Sequence, residues 1–232
     1  MDNISLYEDI KARTGGEIYL GVVGPVRTGK STFIRRFMDL CVIPSILDPN
    51  EKKRIIDELP QAGVGKTVMT TEPKFIPKTG IEIPLSNNVK AKFRLIDCVG
   101  YIVDSAQGVY EDDKERLVKT PWFDENIPFS KAAQTGTEKV IRDHSTIGIV
   151  MTTDGSIGEF TRDDYISAEE KAIMELKKIK KPFIVIVNST FPASDFTRKI
   201  ANEISEKYEV TALPMDLSLI HISEPTRHLR IS

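Results

Sequence analysis

Residues 24–31, Gly-Pro-Val-Arg-Thr-Gly-Lys-Ser, fit the pattern G-x-x-x-x-G-K-[ST], in which a glycine-rich turn before a helix binds phosphate groups. Gly24 and Gly29 let the backbone curl so that successive N–H groups face the phosphates, and the helix N-terminus adds a partial positive charge. Lys30 can bring a cation to the outer phosphates, and the hydroxyl of Ser31 can ligate Mg²⁺. A glycine turn that matches by accident is the alternative. The residues predicted to contact the nucleotide in this loop are Gly24, Arg27, Thr28, Gly29, Lys30, Ser31 and Thr32.

A carboxylate further along the chain is the expected partner of this loop. Asp97 ends the apolar stretch "FRLID", where phosphoryl-transfer sites hold Mg²⁺ through water. Asp97 and Gly100 also match the D-x-x-G of GTPase-like switch proteins, whose glycine N–H contacts the γ-phosphate. An acidic residue at a strand end is common, so this motif gains its weight from the phosphate loop before it.

Two threonines lie between these motifs, where GTPase-like proteins place a threonine that closes over Mg²⁺ and the γ-phosphate. Thr70 and Thr71 are either that sensor or an ordinary polar loop, and the pair favours the sensor, with Thr71 as a metal ligand. Lys66 is more typical of a solvated loop lysine than of a ligand. The catalytic residues expected from the sequence are Lys30, Asp97, Thr70 and Thr71.

The residues expected to select the base depart from the guanine-reading pattern N-K-x-D. Asn188 is present and is predicted to contact the nucleotide, but Ser189 and Phe191 replace the lysine and the aspartate. We therefore expect ATP rather than GTP as the substrate. A GTPase switch that reads guanine through Asn188 and other residues is the alternative.

The position after D-x-x-G also departs from the pattern, because Tyr101 stands where a glutamine usually orients the attacking water. Hydrolysis should be slow, or assisted by Arg27, Lys66 or a group from a partner subunit. A scaffold that keeps a nucleotide only for folding is the alternative to turnover.

The order of the secondary-structure elements predicts how these residues are positioned. A buried strand at 17–24 leads into the loop and a helix at 30–42 follows it, and further strands alternate with helices. This order indicates an α/β P-loop NTPase with a mostly parallel sheet and helices on both faces. The strands at 81–85 and 91–100 are too close in sequence for a helical crossover, so one strand should be antiparallel. We also expect an irregular insertion at 101–134, helices within 48–61 and at 136–144, 163–180 and 195–207, and strands at 146–153 and 183–190.

Composition narrows the class of protein. The chain has 232 residues and a net charge of −2, which gives no general attraction to nucleic acid. Cys41 and Cys98 lie far apart, which argues against a disulfide framework and favours a reducing cytosol. No apolar run approaches membrane-spanning length and the polar start is not a signal peptide, so any membrane association should be peripheral.

Several stretches together resemble the ATPase domain of the stage IV sporulation protein A family, the spore-coat morphogenetic ATPases of endospore-forming bacteria. They include "EIYLGVVGPVRTGKSTFIRRFM", "GKTVMTTEPKF", "LIDCVGY", "TPWF", "HSTIGIVMTTDGSIGE" and "KPFIVIVNS". The resemblance runs from about residue 5 to about residue 216 and implies a fold like that of translation-factor-type GTPases. It also implies Mg²⁺-dependent ATP hydrolysis with Lys30 in the P-loop, Asp97 at the Mg²⁺ site and Thr70 and Thr71 as sensors.

The same resemblance implies a cellular role. Members of the family use hydrolysis to self-assemble into a homopolymer, the basement layer of the spore coat. They act in the mother-cell cytoplasm on the forespore outer membrane surface, with other coat proteins and a small amphipathic membrane-anchoring peptide. Nothing in this role involves nucleic acid.

The end of the chain departs from the family pattern. Family members continue into a middle and a C-terminal region, whereas residues 217–232, "LSLIHISEPTRHLRIS", resemble translated vector or adapter sequence. We expect an ATPase domain at 1–216 and a non-family, disordered or artefactual tail at 217–232.

Overall fold

The computed structural model describes residues 16–60, 72–86, 89–103, 110–111 and 114–218. The strands are β1 (Glu17–Val23), β2 (Lys74–Ser86), β3 (Val89–Asp97), β4 (Tyr110–Glu111), β5 (Lys114–Glu115), β6 (Leu117–Thr120), β7 (Phe123–Pro128), β8 (Ile147–Thr153), β9 (Phe183–Asn188) and β10 (Ala212–Met215). The α-helices are α1 (Lys30–Phe37), α2 (Pro49–Glu58), α3 (Phe129–Lys139), α4 (Arg162–Lys178) and α5 (Asp195–Tyr208). Turns of π-helix extend α1 over Met38–Val42 and α3 over Val140–His144.

Within the described residues, the main sheet has six strands in the order β10-β9-β8-β1-β3-β2. Every neighbouring pair is parallel except β2 with β3, which form an antiparallel pair. The predicted α/β fold with a mostly parallel sheet and one antiparallel strand is therefore confirmed. The sequence did not predict β10, because it is a four-residue edge strand that contains Pro214.

Helices cover both faces of the sheet because successive strand side chains point to opposite sides. On β1, Leu20 and Val22 pack on the face that also buries Ile34 of α1 and Ile55 of α2. Val23 packs on the other face, against residues of α3, α4 and α5. Two apolar layers therefore hold the sheet rigid, and the carboxyl ends of its parallel strands lie along one edge.

Polar residues at the helix starts fix where these helices begin. Asp48 accepts a hydrogen bond from Asn50 N ahead of α2, and Pro49 occupies the first helical position. Thr161 and Asp164 form a reciprocal capping box at α4, and Ser194 caps α5.

Two segments differ from the sequence prediction. Residues 117–128 of the expected irregular insertion form the β6–β7 hairpin, and α3 begins at Phe129, earlier than the predicted 136. Phe129 is completely buried, so core packing starts the helix where periodicity gave no signal. Beyond the predicted boundary at 216, Leu217 is buried in the core on the α1 face.

None of the helices in the described part of the chain combines the length and the apolar character that a membrane span requires.

Candidate nucleotide-binding site

The glycine-rich loop connects β1 to α1 at the carboxyl edge of the sheet. Gly24 and Gly29 have φ angles of 122° and 92°, in the region that favours glycine. A Cβ atom at Gly24 would lie 2.2 Å from Met151 O, and one at Gly29 would lie 2.5 Å from Asn188 Nδ2. Both predicted glycines are thus required by backbone conformation and by close approach of neighbouring strands.

Lys30 is buried beneath this loop. Its Nζ donates a hydrogen bond to Pro25 O at 2.5 Å and lies 3.5 Å from Gly24 O. Burial lowers the pKa of Lys30, while the neighbouring Cys98 and Asp97 oppose that shift. The loop carbonyls thus hold an amine at the base of the loop, and the predicted contact of Lys30 with phosphate stays a prediction.

Ser31 and Asp97 meet across the start of α1 and the end of β3. Ser31 Oγ donates to Asp97 Oδ2 at 2.7 Å, and within the described part of the chain the buried Asp97 Oδ1 has no hydrogen-bond partner. Burial raises the pKa of Asp97, while the Ser31 hydrogen bond and the charge of Lys30 oppose the rise. A hydroxyl beside a carboxylate with an unused oxygen is a donor set that suits Mg²⁺, so these two residues fit the predicted metal.

The D-x-x-G segment lies directly against the phosphate loop. Tyr101 N donates to Gly24 O at 3.0 Å, and Val26 N donates to Tyr101 O at 2.9 Å. Gly100 has a φ angle of 94°, and a Cβ atom there would lie 2.6 Å from Lys30 Nζ. The structure thus brings Gly100 next to Lys30, and its predicted contact with the γ-phosphate stays a prediction.

Tyr101 does not replace the missing glutamine. It is 4% exposed and packs in the core on the α3–α4 face of the sheet. Burial raises its pKa well above the ordinary value, and its hydroxyl has no hydrogen-bond partner among the described residues. The side chain at the water-orienting position therefore belongs to the core.

Asn188 supports the phosphate loop from the end of β9. Its Nδ2 donates to Thr28 O at 3.1 Å, and its Oδ1 accepts from Leu217 N at 3.3 Å. The side chain thereby ties the loop to the chain that follows β10. Both ends of its amide contact the backbone. Its predicted contact with a nucleotide stays a prediction.

A group of hydroxyls beside Asn188 was not predicted to be part of the site. Asp154 Oδ1 accepts from Ser156 N at 2.9 Å and from Ser156 Oγ at 2.6 Å, and its Oδ2 accepts from Thr197 Oγ1 at 2.6 Å. Ser189 Oγ lies 3.1 Å from Thr197 Oγ1. Although burial raises the pKa of Asp154, these hydroxyl contacts outweigh it and bring the pKa below its usual value. The only sequence signal was the place of Asp154 at a strand end.

The remaining predicted loop residues have distinct surroundings. Thr28 is buried, and its hydroxyl donates to Pro25 O at 2.9 Å. Arg27 has a φ angle of 62°, and its guanidinium carbon lies 5.8 Å from the centroid of the Phe160 ring. Thr32 lies half-buried in the first turn of α1.

The structure thus brings the predicted loop residues, Asp97, Gly100 and Asn188 into one region at the carboxyl edge of the sheet. Thr70, Thr71 and Lys66 lie outside the described residues. Their predicted roles as sensors, metal ligand and loop lysine stay predictions.

Four features define this protein as a P-loop NTPase of the GTPase-like class. They are the sheet order, the antiparallel edge strand, the glycine loop above a buried lysine and the aspartate at the end of β3. The model of a family described as stage IV sporulation protein A, ATPase domain, matches residues 1–230 of the chain. The chain belongs to this family. The match extends past residue 216, the predicted end of the ATPase domain.

Curated relatives named stage IV sporulation protein A support this assignment. The chain is 55% identical over 215 residues to the one from Clostridioides difficile (strain 630), covering 93% of this chain and 44% of the relative. It is 49% identical over 230 residues to the one from Bacillus subtilis (strain 168), covering 99% of this chain and 47% of the relative. The chain therefore spans about half the length of the curated relatives it matches.

Solved structures with a similar fold are more distant. Era from Aquifex aeolicus bound to GDP·AlF4⁻ is 16% identical, with a TM-score of 0.48 and coverage of 87% of this chain and 52% of that chain. A probable GTP-binding protein engB is 16% identical, with a TM-score of 0.42 and coverage of 87% and 89%.

Proposed function

We propose that this chain is an ATP hydrolase that cleaves the β–γ phosphoanhydride bond in an Mg²⁺-dependent reaction. The observation that carries the proposal is the Ser31–Asp97 contact at 2.7 Å with Lys30 buried beside it. With Lys30, the Ser31–Asp97 pair provides the three groups that P-loop enzymes use, a cation, a hydroxyl and a carboxylate, beside the N-terminus of α1.

The loop and Lys30 bind the triphosphate in this proposal. The N–H groups at the start of α1 provide donors, and Lys30 is already buried under the loop, so little reorganisation is needed. Gly100 approaches Lys30 closely enough for its N–H to contact the terminal phosphate. These groups stabilise the charge that develops on the phosphoryl oxygens.

Ser31 and Asp97 hold Mg²⁺ in this proposal, with Thr71 as a third ligand and Thr70 beside it in the sensor loop. When bound, Mg²⁺ neutralises negative charge on the β- and γ-phosphates. Asp97 and Ser31 would hold the ion, because a carboxylate oxygen without a hydrogen-bond partner among the described residues and a neighbouring hydroxyl are ligands that suit Mg²⁺.

Hydrolysis by an isolated copy should be slow. The burial of Tyr101 in the core removes the side chain that would orient the attacking water. Arg27, Lys66 or a neighbouring copy would then supply the missing group, and assembly would accelerate turnover.

The full-length protein, in this proposal, uses hydrolysis to self-assemble into the spore-coat basement layer on the forespore surface. This part is supported by membership of the sporulation family and by the names of the relatives. The proposed location is the mother-cell cytoplasm at the forespore outer membrane, with other coat proteins and an amphipathic membrane-anchoring peptide as partners.

A nucleotide-stabilised scaffold without turnover is a second candidate, and the burial of Tyr101 favours it. A GTPase-type switch is the further alternative, and Asn188 is the only residue of the guanine-reading motif that supports it.

Phosphate release by this 232-residue chain tests the proposal. We expect Mg²⁺-dependent release from ATP that Lys30→Ala and Asp97→Ala abolish, while the exposed Lys199→Ala on α5 leaves it unchanged. Specific activity should rise with protein concentration. ATP binding without release would establish the scaffold instead, and a strong preference for GTP would establish the switch.

A further inference from the structure

Phe191 is exposed on the loop that joins β9 to α5. The residue is 71% exposed, although it follows a completely buried Ser189 by only two positions. A single exposed aromatic residue is common on protein surfaces, so the meaning of this one depends on where it lies and how it is held.

Hydrogen bonds hold the Phe191 backbone on both sides. Phe191 N donates to Ser189 Oγ at 2.9 Å. Phe191 O accepts from Ser194 N at 2.9 Å and lies 3.1 Å from Thr197 Oγ1. Because Thr197 also donates to the buried Asp154, the loop is anchored to the end of β8. The ring is therefore presented from an ordered loop.

The position of this loop relates it to the phosphate loop. Asn188, three residues before Phe191, donates to Thr28 O in the phosphate loop. Ligands of open α/β sheets bind outside the carboxyl ends of the strands, and β9 ends there with its loop beside the phosphate loop. In the proposed binding mode, a nucleotide with its phosphates at the N-terminus of α1 would extend its base along this edge.

Most polar side chains at this edge already form hydrogen bonds within the protein. Asn188 uses its carbonyl oxygen and an amide N–H on the backbone, and Asp154 uses both oxygens on hydroxyls and an N–H. Ser189 Oγ accepts from Phe191 N and contacts Thr197. At the motif position where a carboxylate would read guanine, the chain presents an aromatic ring.

We infer that Phe191 stacks on the purine base of the bound nucleotide and replaces hydrogen-bonded guanine recognition with base-tolerant stacking. This inference rests on the proposed nucleotide-binding function and assigns the residue that contacts the base. Aromatic side chains stack on any base, so the ring contributes affinity for both ATP and GTP, while GTP lacks the carboxylate partner that would favour it.

Binding of three ligands to wild-type chain and to variants tests the inference. The ligands are a non-hydrolysable ATP analogue, the matching GTP analogue and inorganic tripolyphosphate, which has no base. We expect Phe191→Ala to weaken binding of both analogues by roughly five- to a hundredfold. Tripolyphosphate binding should not change, and Phe191→Tyr should restore the affinity for the analogues.

Phe196→Ala is the matched control, because Phe196 is 61% exposed and lies on the first turn of α5. It should leave all three affinities unchanged. Unchanged analogue binding by Phe191→Ala, with or without an effect on contact between copies, would overturn the inference. An equal loss for tripolyphosphate would also overturn it, because it would indicate a loop defect rather than a base contact. If wild-type chain binds no analogue, or Lys30→Ala binds as wild type does, the proposed function fails first.

Discussion

Ser31 Oγ lies 2.7 Å from Asp97 Oδ2, so the hydroxyl in the first turn of α1 and the carboxylate at the end of β3 form one pair. The two residues are far apart in sequence, and parallel pairing of β1 with β3 brings them together, with Val22 opposite Asp97. The other oxygen of Asp97 is buried and has no hydrogen-bond partner among the described residues. The protein therefore only partly compensates the buried negative charge of Asp97 through hydrogen bonds.

Asp97→Asn should therefore stabilise the fold while it removes function. A carboxyl whose pKa is raised in the folded state costs stability once the pH exceeds its unfolded value, and the pKa of Asp97 is raised, chiefly by burial. Thermal unfolding without nucleotide should show a higher Tm at pH 7, by about 2–4 °C for each kcal/mol gained. The gain should disappear in acid, where wild-type Asp97 is protonated, and Mg²⁺-dependent phosphate release should be lost. A lower Tm at pH 7 would show that the buried charge of Asp97 does not destabilise the fold.

Asp154→Asn should have the opposite effect on stability. The pKa of Asp154 is lowered by hydroxyl contacts that outweigh burial, so its charged form stabilises the fold above the unfolded pKa. This contribution is lost as the pH falls through the folded pKa. Hydrogen bonds to charged groups are worth about 1.5–3 kcal/mol, so chemical denaturation at pH 7 should show a loss of that order. The exposed Asp195→Asn is the control, and equal losses from both variants would exclude a special role for Asp154.

Gly100→Ala should disrupt the phosphate site by steric contact. The added Cβ would lie 2.2 Å from Gly24 O and 2.6 Å from Lys30 Nζ, so either the loop or the D-x-x-G segment must shift. Gly158→Ala is a matched control, because Gly158 has a similar φ angle of 86° but its Cβ would meet only Tyr165 Oη, at 3.9 Å. Both variants carry the strain of a left-handed residue, about 1–2 kcal/mol. Only Gly100→Ala should lose ATP binding in calorimetry, and equal binding by the two variants would refute the steric explanation.

Tyr101→Phe should be tolerated, whereas Tyr101→Gln should not create a faster enzyme. The buried hydroxyl has no hydrogen-bond partner among the described residues, so its removal should leave stability unchanged or raise it by about 1 kcal/mol. Glutamine at this position places an amide in the core and should cost about 1–3 kcal/mol. Single-turnover phosphate release should be as slow in Tyr101→Gln as in wild type. Acceleration by the glutamine would show that position 101 can reach the substrate.

The local motifs could be read from the sequence because each depends on a few adjacent residues. The phosphate loop, Asp97 and Gly100 were predicted from spacing, and the sheet class followed from the alternation of elements. The cluster of hydroxyl side chains around Asp154 could not be predicted, because its members come from the ends of β8 and β9 and the start of α5. The burial of Tyr101 could not be predicted from the sequence either, because a position in a motif does not show which way a side chain packs. The start of α3 at Phe129 was missed for the same reason, since tertiary packing determines it.

The contacts between Gly24, Val26 and Tyr101 also bear on the entropy of ligand binding. Two backbone hydrogen bonds join the phosphate loop to the D-x-x-G segment, so the two segments share fewer independent torsions than separate loops would have. Ordering a residue costs about 1–2 kcal/mol of conformational entropy, and in these segments that cost is met when the chain folds. A triphosphate that enters the site then has less backbone to immobilise. More of its contact energy is available for affinity and for stabilising the reacting phosphoryl group.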